Sequence, residues 1–213
     1  MKRCRLLLAD DHDIVVEGLR RVLDQPDLEI AGIVNNGRSL IRAAKEIQPD
    51  VIITDITMPL LNGIDAARQI RKTNPDAKII FLTMHPDVTF ATEALAAGGV
   101  GYVLKSSAGV ELLTAIRAAV QGSTYVTKSI AESVRQGLSA RSNSWRSPVD
   151  KLTTRQRDVL QLLAEGHPVK EIAVKLNLSP RTVEFHKYRI MNELGLRTVA
   201  ELSRYAARYG IVG

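Results

Sequence analysis

Val51-Ile52-Ile53-Thr54-Asp55 is the stretch on which the fold turns. Four apolar or β-branched residues run on with no polar alternation, and an acid follows at once. A strand with one wet face alternates, whereas a strand covered on both faces does not. Similar runs recur on either side, at 4–9, 28–34, 79–83 and 100–104. Between them lie amphipathic helical patterns near 14–24, 38–47, 64–73, 88–97 and 109–121. Five strands alternating with helices predict an α/β fold with a doubly wound, five-stranded parallel sheet across residues 1–125.

The acids take their meaning from that frame. Asp10 and Asp11 follow the first strand, Asp55 follows the third, Thr83 ends the fourth and Lys105 follows the fifth. In a parallel sheet these positions share the carboxyl edge, where ligands bind beside the point at which strand order reverses. Three carboxylates drawn together repel one another, and a cation relieves the repulsion. Hard carboxylate oxygens with room for water suit Mg²⁺. A lysine at the same edge offers a point charge to a phosphoryl group. One Asp-Asp pair alone is usually a loop acid or a helix cap; the coincidence at four strand ends is what carries the reading.

Leu8-Ala9-Asp10-Asp11-His12, Thr54-Asp55-Ile56-Thr57-Met58-Pro59, Phe81-Leu82-Thr83 and Gly101-Tyr102-Val103-Leu104-Lys105 resemble the flavodoxin-like receiver domains of response regulators, in order and spacing. The resemblance implies that Asp55 is the phosphoacceptor, and that Asp10, Asp11, Asp55 and the Thr57 carbonyl hold Mg²⁺. It implies further that Thr83 and Lys105 bind the phosphoryl oxygens, that Tyr102 is the switch aromatic, and that a sensor histidine kinase is the partner. Such a domain catalyses phosphoryl transfer onto Asp55 and hydrolysis from it, with no separate substrate turnover. Two features set this chain apart. Leu60 follows Met58-Pro59 where the family often has glycine, so the loop is expected to differ. Thr57 stands where the family tunes phosphoryl lifetime.

Charge divides the chain in two. Residues 1–125 carry 14 Lys and Arg against 15 Asp and Glu, and residues 126–213 carry 15 against 8. The whole positive excess lies in the later part, as expected of a segment that meets a polyanion, although a merely solvated basic face has the same signature. Residues 126–150 read as a short helix near 127–138 and then a flexible linker, Ser139 to Pro148, rich in serine and arginine and holding the single tryptophan, Trp145. One cysteine, Cys4, excludes an internal disulfide, and no apolar run is long enough for a leader or a membrane helix. A cytoplasmic, non-membrane protein is expected.

From residue 151 to 213 four helical segments follow, at 154–165, 169–176, 180–194 and 198–209. Pro168 is placed to begin the second of these. Ser179-Pro180-Arg181-Thr182 has serine at a cap and proline at the first helical position. Two short helices meeting around Asn177-Leu178 give a small all-α, four-helix domain with a helix-turn-helix. Leu152-Thr153-Thr154-Arg155-Gln156, Lys170-Glu171-Ile172-Ala173 and the run from Ser179 to His186 resemble the LuxR-type DNA-binding domain, and the whole chain resembles the NarL/FixJ class of response regulators.

At about 100° per residue, Val183, Ile190 and Leu194 fall on the core side of the third helix. Arg181, Glu184, Phe185, Tyr188 and Asn192 fall opposite. In a major groove, Arg181, Glu184, Phe185 and Tyr188 are the candidates to read bases, and Lys170, Thr182, Lys187 and Arg189 to meet phosphates. His186, near the apolar side, reads as a structural histidine. Gln156 stands where the family has glutamate and Glu193 where it has lysine. The last helix, carrying Val199, Leu202, Tyr205, Ala206 and Tyr209 on one side, packs on its own domain or pairs two copies on two-fold half-sites, so a homodimer on promoter DNA is expected. Two other readings stay open: an aspartyl-phosphate phosphatase, which wants a second acid where Thr57 stands, and an interaction-type regulator with weak or no DNA binding.

Overall fold

The computed structural model of the chain describes residues 3–141 and 151–212. The described chain divides into two compact units, the first running through Ser139. In that unit β1 (Cys4–Ala9), β2 (Leu28–Val34), β3 (Val51–Thr54), β4 (Ile79–Thr83) and β5 (Gly101–Leu104) alternate with α1 (Asp13–Val22), α2 (Gly37–Ile47), α3 (Gly63–Thr73), α4 (Val88–Ala96) and α5 (Ala108–Val120). The sheet has six strands rather than five, in the order β2-β1-β3-β4-β5-β6, every pair parallel. The sixth, β6 (Tyr125–Val126), pairs with Gly101 and Tyr102. Two residues give no periodicity to read, which is why the sequence did not disclose it.

Alternation sorts the strand side chains into two cores. Leu7, Ala9, Ile52, Ile79, Phe81, Tyr102 and Leu104 point to one face, under α2, α3 and α4. Leu6, Leu8, Val51, Ile53, Ile80, Leu82 and Val103 point to the other, under α1 and α5. Each wholly buried Leu or Ile contributes about 1.5–3 kcal/mol of transfer free energy, and those in β1, β3 and β4 are 0–2% exposed. The central strands are therefore held rigidly, and so are the residues at their carboxyl ends. Strand order reverses between β1 and β3, which places a crevice beside Asp10 and Asp55.

One further helix, α6 (Lys128–Arg141), ends the described part of this region. It runs through Ser139, where the sequence placed the start of a linker. Alanine and arginine favour a helix, and the Ser139 hydroxyl bonds back to the Arg135 carbonyl at 3.0 Å. The rest of the expected linker, with Trp145, lies outside the described residues.

The second unit contains α7 (Thr154–Ala164), α8 (Val169–Leu176), α9 (Pro180–Leu194) and α10 (Val199–Arg208). Thr153 and Gln156 form a reciprocal capping box at the start of α7, so glutamine does there what glutamate would. Pro168 occupies the N-cap position of α8, just outside the helix, and Val169 is the first helical residue, so the helix spans the expected residues 169–176. Asn177 ends α8 at φ 53° in the left-handed region. The Leu178 N–H returns to the Ala173 carbonyl at 2.8 Å, and the Ser179 hydroxyl accepts the Thr182 N–H at 3.1 Å. These contacts make the sharp turn of the helix-turn-helix. Leu160, Leu162, Ile172, Val183, Ile190, Leu202 and Ala206, all fully buried, form its core.

Candidate functional site

The β1 and β3 ends are tied together before any side chain acts. The Asp55 N–H donates to the Ala9 carbonyl at 2.8 Å, and the Asp10 N–H to the Val34 carbonyl at 3.1 Å. Asp10 and Asp55 are nearly buried, while Asp11 stands exposed beside them. Lys105 spans the pair, its ammonium 2.6 Å from Asp55 Oδ2 and 2.7 Å from Asp10 Oδ2. Asp55 Oδ1 accepts the Ile56 N–H at 2.6 Å. Burial pushes the Asp55 carboxyl above its ordinary value; the Lys105 bond and charge oppose that rise, and the nearby Asp10 charge adds to it. Burial works against the Lys105 charge, but the two carboxylates outweigh it and raise its pKa.

Asp10, Asp11, His12 and Asp55 each offer one donor atom, and the four atoms lie within 4.8 Å of one another. Hard oxygens this close, partly open to water through Asp11, fit a small divalent cation such as Mg²⁺. His12 also sits 3.2 Å from Asp10 and 3.0 Å from Asp11. The loop beyond Asp55 is shaped by Gly63: a Cβ there would lie 1.9 Å from the Asp55 carbonyl oxygen. Leu60 takes φ 67°, the left-handed conformation that suits the glycine expected at that place.

Thr83 and Tyr102 are both fully buried, and one residue absent from the sequence reading joins them. The His85 N–H donates to the Thr83 hydroxyl at 3.3 Å, and the His85 carbonyl accepts the Tyr102 hydroxyl at 2.7 Å. The His85 ring meets the Thr57 hydroxyl through Nε2 at 3.2 Å and stacks on Phe90 at 4.5 Å. The only sequence signal was its position two residues beyond Thr83. Burial, with the Asp87 and Asp55 charges behind it, raises the Tyr102 pKa, which keeps this phenol a donor.

On α9, Val183 and Ile190 are buried, whereas Arg181, Glu184, Phe185, Tyr188, Arg189 and Asn192 are exposed. Phe185 and Tyr188 are 57% and 70% exposed, which is unusual for aromatics with no partner to cover them. The Arg189 guanidinium lies 5.7 Å from the Phe185 ring centroid, and Lys187 lies 3.4 Å from Glu184. Lys170 is exposed in the first turn of α8, and the Thr182 hydroxyl lies 2.8 Å from that of Ser179. His186 is half-buried; burial and then the Arg155 charge lower its pKa, which favours the neutral imidazole of a packing residue. On α10, Leu202 and Ala206 face the core, while Val199 stays 45% exposed.

A parallel sheet with an acidic carboxyl edge, followed by a helix-turn-helix unit, defines a regulator that couples a receiver to a DNA-binding module. Comparison with known families agrees: residues 6–117 match the response regulator receiver domain and residues 150–206 the bacterial regulatory proteins of the luxR family. The response regulator GacA of Pseudomonas aeruginosa is 34% identical over 98% of this chain and 97% of its own. The RcsB response regulator of Salmonella typhimurium is 31% identical, with TM-score 0.65 over 98% of this chain and 99% of that one. RcsB of Salmonella enterica serovar Typhimurium, solved on the rprA promoter with the phosphomimetic BeF3⁻, is 31% identical, with TM-score 0.61 over 96% and 99%. The chain belongs to the NarL/FixJ class of two-component response regulators, with a receiver and a LuxR-type DNA-binding domain. No helix among the described residues is long and apolar enough to cross a membrane.

Proposed function

We propose that Asp55 accepts a phosphoryl group from a sensor histidine kinase and that this event controls binding of α9 to promoter DNA. The observation that carries the reading is the Lys105 ammonium bridging Asp10 and Asp55 within a cluster of donors that fits a divalent cation. An Asp55 carboxylate oxygen attacks phosphorus as the bond from phosphorus to the donor nitrogen breaks, leaving its electron pair on the donor imidazole. Asp10, Asp11, Asp55 and the Thr57 carbonyl would hold Mg²⁺, which would supply positive charge to offset that on the phosphoryl oxygens. Lys105 is freed from Asp55 as the carboxylate becomes an acyl phosphate, and turns to the phosphoryl group together with the Thr83 hydroxyl. Tyr102 then reports the shift of Thr83.

In this reading residues 1–125 are the receiver, 126–150 connect, and 151–213 bind DNA in the cytoplasm as a homodimer on two-fold half-sites. Arg181, Glu184, Phe185 and Tyr188 read bases; Lys170, Thr182, Lys187 and Arg189 meet phosphates. Nothing is turned over beyond the phosphoryl group on Asp55. Treatment with acetyl phosphate and Mg²⁺, followed by a phosphate-affinity gel and a gel shift across a salt series, tests both halves. The wild type should gain a phosphoryl group and change its DNA affinity, and Asp55→Asn should do neither. Absence of salt-dependent binding to any duplex would sink the DNA-binding half.

A further inference from the structure

The helix α6 is more than a stretch of chain leading away from the receiver. Its Val134 is 1% exposed and lies in the same core cluster as Phe90, Ala91, Ala94 and Tyr102, with Ile130 and Val126 packed against that cluster. At Gly137 the backbone of α6 comes so near α4 that a Cβ would lie 3.0 Å from Val88 Cγ1 and 3.1 Å from Thr92 Cγ2. The opposite side of α6 is wet and internally paired, with Arg135 and Gln136 both bonded to Glu132. Ile130, Val134 and Gly137 thus form the stripe by which α6 sits over the α4–β5 face. The Thr127 N–H anchors its start to the Tyr102 carbonyl at 2.9 Å, and the Thr127 hydroxyl accepts the Leu104 N–H at 3.0 Å.

One residue connects that face to the phosphoacceptor edge. His85 holds Thr83 by its N–H, Tyr102 by its carbonyl, Thr57 by its imidazole and Phe90 of α4 by ring stacking. Any shift of Thr83 or of the loop carrying Thr57 must move His85 or break one of these four contacts. Phe90 and Tyr102, the two partners on the far side, belong to the cluster on which α6 rests. Packed interiors respond to such shifts by changing seats rather than by smooth deformation.

We propose that α6 is the output element of the receiver and that His85 is the positioning residue that couples its seat to the state of Asp55. The proposal rests on the reading of Asp55 as phosphoacceptor and adds the route by which its state leaves the domain. Two-site coupling of this kind lies typically between fivefold and 150-fold.

Hydrogen exchange on the full chain, with and without acetyl phosphate and Mg²⁺, reads the seat directly and does not depend on DNA. In the wild type, amides of residues 130–138 should change their exchange rate on the order of tenfold on phosphorylation. In His85→Ala, which keeps the backbone bonds to Thr83 and Tyr102 but removes the ring contacts with Thr57 and Phe90, Asp55 should still be phosphorylated, but the α6 response should fall below about twofold. Gly137→Leu, which blocks the close approach to α4, should show unprotected α6 amides whether or not the donor is present. Failure to phosphorylate Asp55 would overturn the reading of the site and this proposal with it. Phosphorylation with no change in α6 exchange, or a full response in His85→Ala, would overturn this proposal alone.

Discussion

The Lys105 ammonium lies 2.6 Å from Asp55 Oδ2 and 2.7 Å from Asp10 Oδ2, with its side chain only 8% exposed. Two nearly buried carboxylates therefore share one cation. Removing one partner of a buried pair leaves uncompensated charge, at a cost of about 3–5 kcal/mol. Lys105→Met should destabilise the first unit by about 3 kcal/mol in EDTA. Millimolar Mg²⁺ should restore part of that loss, because a bound cation replaces the missing charge. Urea melts with and without Mg²⁺ check both statements; equal losses in the two buffers would argue against a cation among these acids.

Asp55 makes the stability of the first unit depend on pH. Burial, reinforced by Asp10 and opposed by Lys105, places its folded pKa above the ordinary aspartate value. The folded state then binds the proton more tightly than the unfolded state, so stability falls as pH rises from the unfolded value through the folded one. Above that window the full penalty is present. Asp55→Asn should consequently melt higher than the wild type at pH 7 in EDTA, with the gain shrinking as pH drops toward 4. A gain that did not change with pH would point to packing rather than charge.

Leu60 has φ 67°, and a left-handed residue with a Cβ costs roughly 1–2 kcal/mol. Leu60→Gly should stabilise the first unit by about 1 kcal/mol, less the glycine entropy in the unfolded chain. Chevron analysis should show where the gain falls. The expectation from sequence was only that this loop would differ; that a leucine takes the backbone shape of a glycine is visible only in the structure.

Gly63 and Gly18 form a contrasting pair. A Cβ on Gly63 would lie 1.9 Å from the Asp55 carbonyl oxygen, whereas one on Gly18 would meet nothing within 4 Å. Gly63→Ala should displace Asp55, costing about 3 kcal/mol or more and most of the phosphorylation rate. Gly18→Ala, inside α1, should instead stabilise by about 0.5–1 kcal/mol. A phosphate-affinity gel run beside thermal melts separates the two effects.

The sheet and its acidic edge were legible because both follow from local pattern. Val51–Thr54 shows its double burial as an unbroken apolar run, and Asp10, Asp55 and Lys105 needed only their strand ends to be located. The helical wheel of α9 likewise separated Val183 and Ile190 from Phe185 and Tyr188 without coordinates. The rest was hidden for reasons equally physical. His85 joins Thr83 to Tyr102 through its backbone N–H and carbonyl, which residue type does not reveal, and its ring meets Thr57 and Phe90 only because the fold brings them near. The seat of α6 depends on what Gly137 approaches across the fold, and a glycine inside an expected helix gives no sign of which neighbour it will meet. Strand β6 is held by two ladder positions, too few to leave a period.

On α9 and α8 the exposed residues predict two separable effects on DNA binding. Lys170 is an exposed cation in the first turn of α8, so as a phosphate contact it adds affinity irrespective of sequence. Lys170→Ala should weaken binding to a target duplex and a scrambled one alike, and reduce the slope of log K against log salt by about 1. Tyr188, 70% exposed on the outer face of α9, has no charge to lose. As a base-reading residue, its replacement by alanine should leave the salt slope unchanged and cost about 1–3 kcal/mol on the target duplex only. The two variants differ in kind, so a uniform loss from Tyr188→Ala would move that residue from reading bases to packing the domain. Unaltered slopes for Lys170→Ala would remove Lys170 from the set of phosphate contacts. Both curves come from one fluorescence-anisotropy salt series on the full chain, treated with acetyl phosphate and Mg²⁺.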